Sequence, residues 1–420
     1  MAARPRRVSL ALALTVFIGF PLATSVGAQP PPGAPGCPLF PPDDVWHADV
    51  SGLPVHGRSG AWLAAMGGPD RRLHPDFGPS GETMPYGIPY TVVDSRHQRV
   101  AVTFDYADES DAGPYPFGPE TPIESGSDRH ALMLDKDSCT LYELYAAQYS
   151  PSGSTAGSGA VWNLRSHALR PAGWTSADAA GLPILPGLLR KDEVAAGHVD
   201  HAIRITAQRT DRSYVWPARH QAGAANDPNL PPMGARFRLK VGYDISRFRP
   251  DTQVVLRAMQ RHGVILADNG SNWYFTGTAE NGWDTRMLDE LKSVPAGAFD
   301  AIDASSLMVD PNSGVVRGGN PGGPAPPPTT ARPRAAARPT PAPAAAAATT
   351  VAPPPSTTSI STTTLVEQDK AEAAAPARRG APGGASDQPD ERWPRAFGVA
   401  ALLAAGTAAV WRIRQQRARV

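Results

Sequence analysis

Only two cysteines occur in 420 residues, and none of the short motifs that mark many enzymes is present. There is no HExxH, no Walker A lysine loop, no GxGxxG turn, no GxSxG elbow and no paired CxxC. These absences exclude a zincin, a P-loop nucleotide hydrolase, a dinucleotide-dependent oxidoreductase and an α/β-hydrolase built on the usual signatures. Charge of one sign is also lacking: 40 Lys and Arg balance 39 Asp and Glu, so no basic footprint for nucleic acid exists. No cofactor or metal site is assigned, and any chemistry falls to carboxylates, histidines, hydroxyls or a bound metal.

The two ends of the chain say where it works. Residues 1–28 have a basic start (Arg4, Arg6, Arg7), an apolar middle and a small-residue exit, with Val26 and Ala28 placed for cleavage before Gln29. This is the pattern of a secretory signal peptide. At the other end, residues 394–412 contain an uncharged Ala-rich stretch between Arg395 and Arg412, short for a span of about 20 residues but extendable by arginine snorkelling. Arg412, Arg414, Arg417 and Arg419 place the tail, residues 413–420, in the cytoplasm by the positive-inside tendency. Residues 311–393 turn to Pro, Ala and Thr, a composition that cannot bury enough apolar surface to offset chain entropy and reads as a disordered stalk. The expectation is a single-pass protein anchored in the membrane by its C-terminal helix, with residues 29–310 on the extracellular face. In such an oxidising compartment Cys37 and Cys139 form one disulfide, which leaves no thiol nucleophile.

Residues 29–310 read as mainly β, a sandwich or jelly-roll with a few short helices. Val100, Val102, Phe104 and Tyr106 alternate with smaller or polar residues at the period of a half-buried strand. "HALMLDKDSCTLYELY" reads as two strands across a turn at Asp135 to Ser138, and "HAIRITAQ", "SYVWPARH" and "ARFRLKVGYDI" continue the pattern. Helices are expected at 251–261, where Pro250 opens and Gly263 closes an apolar face, and at 60–66 and 285–292.

The stretch 157–197 is the least regular and the richest in unusual residues, which inside a compact domain marks a candidate functional loop. Within it Asp192 and Glu193, followed by Asp200 and His201 beyond Gly197, form a constellation of paired carboxylates and an imidazole. Glycosidic hydrolysis needs two carboxyl groups, one donating a proton and one acting as base or nucleophile, so these four are the candidate catalytic residues. Their alternative reading is an exposed acidic turn entering a strand. Trp162 and Trp174 are candidate sugar platforms, with Arg219 and His220 beside them, or else ordinary core residues. His201 and His130 share strand faces with aliphatic residues and read as core histidines. Asp105, Asp108, Glu109 and Asp111 have hard-oxygen character without EF-hand spacing and default to a solvated loop. Asp268-Asn269-Gly270 is first a tight-turn signal and second part of a site with Trp273 and Tyr274.

From "CPLFP" through "GSGAVWNLRS", "WTSADAAGLPILPGLLR", "YVWPARH", "PPMGARFRLK" and "ADNGSNWYFTG", the chain resembles a family of secreted bacterial, largely actinobacterial, proteins. The resemblance covers Cys37 to about Asp303. That family carries no assigned activity or cofactor, so the resemblance implies a compartment and no chemistry. Two functional readings follow from compartment and composition. One is a carboxylate-dependent hydrolase of cell-wall or environmental glycan, and the other is a non-catalytic module that binds polysaccharide or protein.

Overall fold

The computed structural model describes residues 28–80 and 84–318. The expected signal peptide, most of the stalk, the membrane helix and the basic tail lie outside the described residues. Among those described, no helix is long and apolar enough to cross a membrane.

Twelve short strands and four helices make a β-rich domain. The strands are β1 (His74–Pro75), β2 (Tyr90–Val93), β3 (Val102–Phe104), β4 (Ala131–Asp135), β5 (Thr140–Tyr145), β6 (Ser154–Ala156), β7 (Ser158–Asn163), β8 (Ile203–Ala207), β9 (Arg236–Leu239), β10 (Val264–Asn269), β11 (Tyr274–Phe275) and β12 (Phe299–Ile302). The helices are α1 (Ser59–Ala65), α2 (Lys191–Ala196), α3 (Pro250–Arg261) and α4 (Thr285–Leu291). The expected helices and the hairpin β4–β5 are where periodicity put them. "SYVWPARH" forms no strand: Pro217 has no N–H to give a ladder, and only the isolated bridge of Tyr214 to Met233 remains.

The strands form a six-stranded sheet in the order β1-β11-β8-β10-β9-β12, a four-stranded sheet β2-β4-β5-β7 and a pair β3-β6. Pairing is mixed: β8 with β10, β2 with β4, β1 with β11 and β3 with β6 run parallel. This departs from the antiparallel pairing of a jelly-roll. The physical reason lies in burial: β4 reads Ala-Leu-Met-Leu-Asp and is buried along its whole length, because both faces of its sheet are covered. Leu132, Leu134 and Leu141 join the main core shared with the six-stranded sheet, while Met133, Tyr142 and Leu144 pack with Tyr115 and Phe117 on the other side.

Glu143 on β5 enters this core as a carboxylate. It accepts hydrogen bonds from the backbone N–H of Ile184 and Leu185 and from the Trp162 indole at 3.0 Å, and so anchors the irregular loop to the sheet. Burial pushes its pKa up to about 7 against the pull of those donors.

Cys37 and Cys139 are bonded, closing a loop of 102 residues. By the chain-entropy relation a loop of this size is worth about 4–5 kcal/mol. Replacing both cysteines by serine is expected to lower stability by that order, read as a fall in urea midpoint with a steeper slope, because the unlinked denatured chain exposes more surface.

Residues 311–318 belong to the packed domain. Gly314 accepts from Val45 N–H at 2.8 Å, Val316 donates to Asp43 at 3.0 Å, and Leu169 donates to Asn312 at 3.1 Å. A side chain at 314 would strike Asp44, since an added Cβ lies 2.6 Å from its carboxylate oxygen. The body therefore ends beyond the composition change expected at 310.

Candidate functional site

β8 and β10 lie side by side at the centre of the large sheet, and both run toward the same edge. Ligands of open sheets gather outside the carboxyl ends of parallel strands. At that edge β10 carries a bulge: Leu266 pairs with Ile205, Ala267 is skipped, and Asp268 pairs with Thr206. Without the extra residue Asp268 would fall on the opposite face. The bulge instead sets it on the face of Thr206 and Arg204, which is how bulges re-aim side chains near active sites. The skipped residue is not left unpaired, because Ala267 accepts a hydrogen bond from Ala180 of the irregular loop at 2.9 Å.

That loop delivers Asp178, which is fully buried. Arg204 grips it with two parallel hydrogen bonds, Nε to Oδ2 at 2.8 Å and Nη2 to Oδ1, while Nη1 donates to Thr276 at 2.6 Å. Arg204 Nη2 lies 4.0 Å from Asp268 Oδ2. An arginine inside an apolar strand must find such a partner, since an unpaired buried charge is costly. Burial opposes the guanidinium charge, but Asp178 more than restores it and holds the pKa of Arg204 above its ordinary value.

Asp268 is the group this arrangement perturbs most. Its side chain keeps 23% of its surface open at the cleft, with protein on every other side. Burial first, then the neighbouring Asp178 carboxylate with which it shares a hydrogen bond, pushes its pKa up to about 8, with Arg204 pulling the other way. Two carboxyls in contact cannot both ionise freely, and Arg204 makes its two parallel bonds to Asp178 rather than to Asp268, so the rise falls on Asp268.

The loop is held rigid from several directions. Thr175 N–H donates to Glu109 at 3.0 Å, Arg170 Nε to the carbonyl of Thr175 at 2.6 Å, Ser158 Oγ to Ser176 at 2.6 Å, and His130 Nε2 to the carbonyl of Ala177 at 3.1 Å. Gly181 closes it at φ +67°, where a Cβ would lie 2.4 Å from the Trp174 carbonyl. Burial disfavours a charged His130, yet its hydrogen bond to Glu124 at 2.5 Å raises its pKa above the usual histidine value.

Above Asp268 opens a cleft of about 390 Å³ lined by Tyr106, Glu109, Asp128, Tyr145 and His220, among others. His220 donates Nδ1–H to the Ala179 carbonyl at 2.8 Å, which leaves Nε2 facing Glu109 Oε2 at 3.7 Å. Tyr106 stands 57% exposed at its lip. The cleft thus sets a protonated carboxyl against a partly open carboxylate and an imidazole, the ingredients of acid and base catalysis. A larger concavity of about 440 Å³ beside α4 holds Asp76, whose pKa burial raises, but its other carboxylate, Asp289, is tied to Lys292 at 3.2 Å.

The residues singled out as catalytic by sequence go elsewhere. Glu193 and His201 are buried within the domain: His201 Nε2 meets Glu193 Oε2 at 3.2 Å, and Arg190 Nη2 lies 2.9 Å from Glu193 Oε1. Burial would raise the pKa of Glu193, but His201 and Arg190 hold it below the ordinary value. Asp192 accepts from Arg190 Nε at 3.2 Å and from the Gln29 amide at 2.7 Å, and Asp200 is paired with His198 at 2.8 Å. None of these four lines the cleft. The correction has a physical cause. The Lys191–Ala196 segment is a helix rather than a turn, so its acids face Arg190, His201 and Gln29 instead of an open site.

Trp162 is likewise no platform, being 4% exposed with its N–H spent on Glu143. Trp174 is half-buried under the Arg170 guanidinium at 5.5 Å and lies off the cleft wall. Arg219 is buried, its Nε donating to the Arg170 carbonyl at 2.7 Å and its Nη2 to Asn312 at 2.7 Å. Of the proposed contacts only His220 reaches the cleft. By sequence Asp268 reads first as a turn and second as part of a site with Trp273 and Tyr274, neither of which lines the cleft, and Glu109 reads as part of a solvated acidic run. What joins Asp268 to Glu109 and Asp128 was missed, though "VILAD" carries a signal: a fully apolar strand that ends on an acid. Among the described residues no cluster of three or more acidic, histidine or cysteine side chains is arranged to hold a metal ion. No family model, no curated protein and no solved structure matches the chain.

Proposed function

We propose that the protein is a glycan hydrolase in which Asp268 is the acid and Glu109 the base. Asp268 gives its proton to the glycosidic oxygen as the bond to the anomeric carbon breaks. A water activated by Glu109, with His220 beside it, attacks that carbon, and the water's proton passes to the carboxylate. Two groups of opposite protonation state in one cleft are what this reaction requires. Tyr106 and Tyr145 offer ring faces for a sugar. The observation that carries the reading is the bulge-aimed Asp268, opening on the cleft beside a buried Asp178 that Arg204 has claimed.

The Cys37–Cys139 bridge supports export to an oxidising compartment, and we read the chain as held at the outer face of the membrane by its C-terminal segment, close to cell-wall polysaccharide. The exposed Tyr106 favours a second reading, a binding module for the same ligands. Incubation of the protein with peptidoglycan and plant polysaccharides, reading both released sugar and retained protein, separates the two. Release lost in Glu109→Gln supports hydrolysis, and retention without any release supports binding alone.

A further inference from the structure

Glu109 and Asp128 bring acidic groups to the cleft, and the one basic side chain among its lining residues is His220, whose Nε2 lies 3.7 Å from Glu109 Oε2. Glu109 stands on the 3₁₀ turn Ala107–Glu109 and Asp128 on the segment that precedes β4, and no lysine or arginine is among the side chains lining the space between them. The cations nearby are committed elsewhere. Arg204 clamps Asp178, Arg170 reaches Asp111 and the Glu109 carbonyl, and Arg129 donates to the carbonyl of Ala147 at 3.2 Å. Asp128 takes a hydrogen bond from the Ser127 hydroxyl at 3.2 Å and forms no ion pair among the described residues. A concave site walled by protein and lined with one sign of charge draws cations toward it. A ligand that itself carries a positive charge would meet Glu109 and Asp128 without competing with a lysine or arginine of the lining. Tyr106, 57% exposed, adds an aromatic face that attracts an ammonium as well as a sugar ring.

We propose that the cleft recognises an amino sugar whose amine is free and protonated, with the ammonium between Glu109 and Asp128 and the ring against Tyr106. For the cleavage it implies, this rests on the hydrolase reading; its binding preference stands apart from that reading. An N-acetylated sugar would forfeit the ion pairs, and a uronate would add a like charge to a site that already holds two carboxylates.

The full-length protein is titrated calorimetrically at pH 6 with glucosamine oligosaccharides, their N-acetylated counterparts and a galacturonate oligomer, and the same samples are assayed for new reducing ends. The expected result is affinity for the glucosamine oligomer about tenfold above that for the acetylated one. That advantage shrinks as salt is raised, and no uronate binds. Asp128→Asn, which leaves Asp268 and Glu109 in place, narrows the difference. Equal affinity for the free and acetylated amines, a preference for the uronate, or no binding of any oligomer overturns the amine proposal, whether or not a glycan is cut. Selective binding of the free amine with no cleavage of any substrate upholds it and overturns the hydrolase reading instead.

Discussion

Asp268→Asn lowers turnover of the cleaved glycan by roughly 10²–10⁴-fold, because asparagine keeps the volume and an N–H to offer Asp178 but has no proton to transfer. The wild-type rate should fall on the alkaline side as pH rises through Asp268's value of about 8, and that limb is absent in the variant. Stability moves the other way. A carboxyl whose folded pKa stands above its unfolded value of about 3.9 favours the fold below that value, and the advantage is lost as pH rises toward the folded pKa. The window for Asp268 therefore runs from about pH 4 to about 8. Asparagine cannot ionise, so the variant should gain in melting temperature over wild type, and gain more at pH 9 than at pH 5. An identical difference at both pH values would show an ordinary solvated aspartate and remove the basis for calling it an acid.

Arg204→Met should be the most damaging single change in the domain. It leaves Asp178, fully buried, facing Asp268 with no cation between β8 and the loop. Breaking a buried pair on one side costs about 3–5 kcal/mol, since the stranded charge must stay solvent-free or neutralise. For a domain of this size that is a fall of the order of 10 °C in melting temperature. Arg204→Lys recovers only part of it, because an ammonium cannot make the two parallel bonds to Asp178 and still reach Thr276. Removing both charges, as Asp178→Leu with Arg204→Met, should recover most of the stability while leaving burial as the main cause of Asp268's raised pKa. Chemical denaturation of the three variants measures this. A loss below about 1 kcal/mol in Arg204→Met would mean the pair is solvated and carries little.

The β-rich class, the hairpin at 131–145, three of the four helices and the disulfide could all be read from periodicity, caps and cysteine count. Those features are local or, for the cysteines, a matter of pairing the only two available. The site could not be read the same way, because it depends on a register shift. Nothing in "VILADNG" distinguishes a strand that ends in a turn from one that gains a bulge at Ala267 and rotates its acid onto a buried arginine. The misplaced emphasis on Asp192, Glu193, Asp200 and His201 arose from the same limit: paired acids near a histidine look alike whether they face a cleft or an interior Arg190. What the sequence did offer was Arg204 between two isoleucines. A charge in that position predicts a buried carboxylate somewhere in the chain, and Asp178 sat in the loop already marked as irregular.

The way the chain leaves the domain also determines how it bears load. Any pull applied beyond residue 318 enters through the 311–318 strap, whose hydrogen bonds run to Asp43, Val45, His167 and Leu169 and whose Pro311 and Asn312 are held by Arg219. Two of those partners, Asp43 and Val45, lie just beyond Cys37, whose disulfide ties that segment to the turn between β4 and β5. That segment is itself bonded to the large sheet, since Val45 accepts from Arg236 of β9 at 2.9 Å and Trp46 from the N–H of Ala202, just before β8, at 2.8 Å, so tension on the strap would be felt where Arg204 sits.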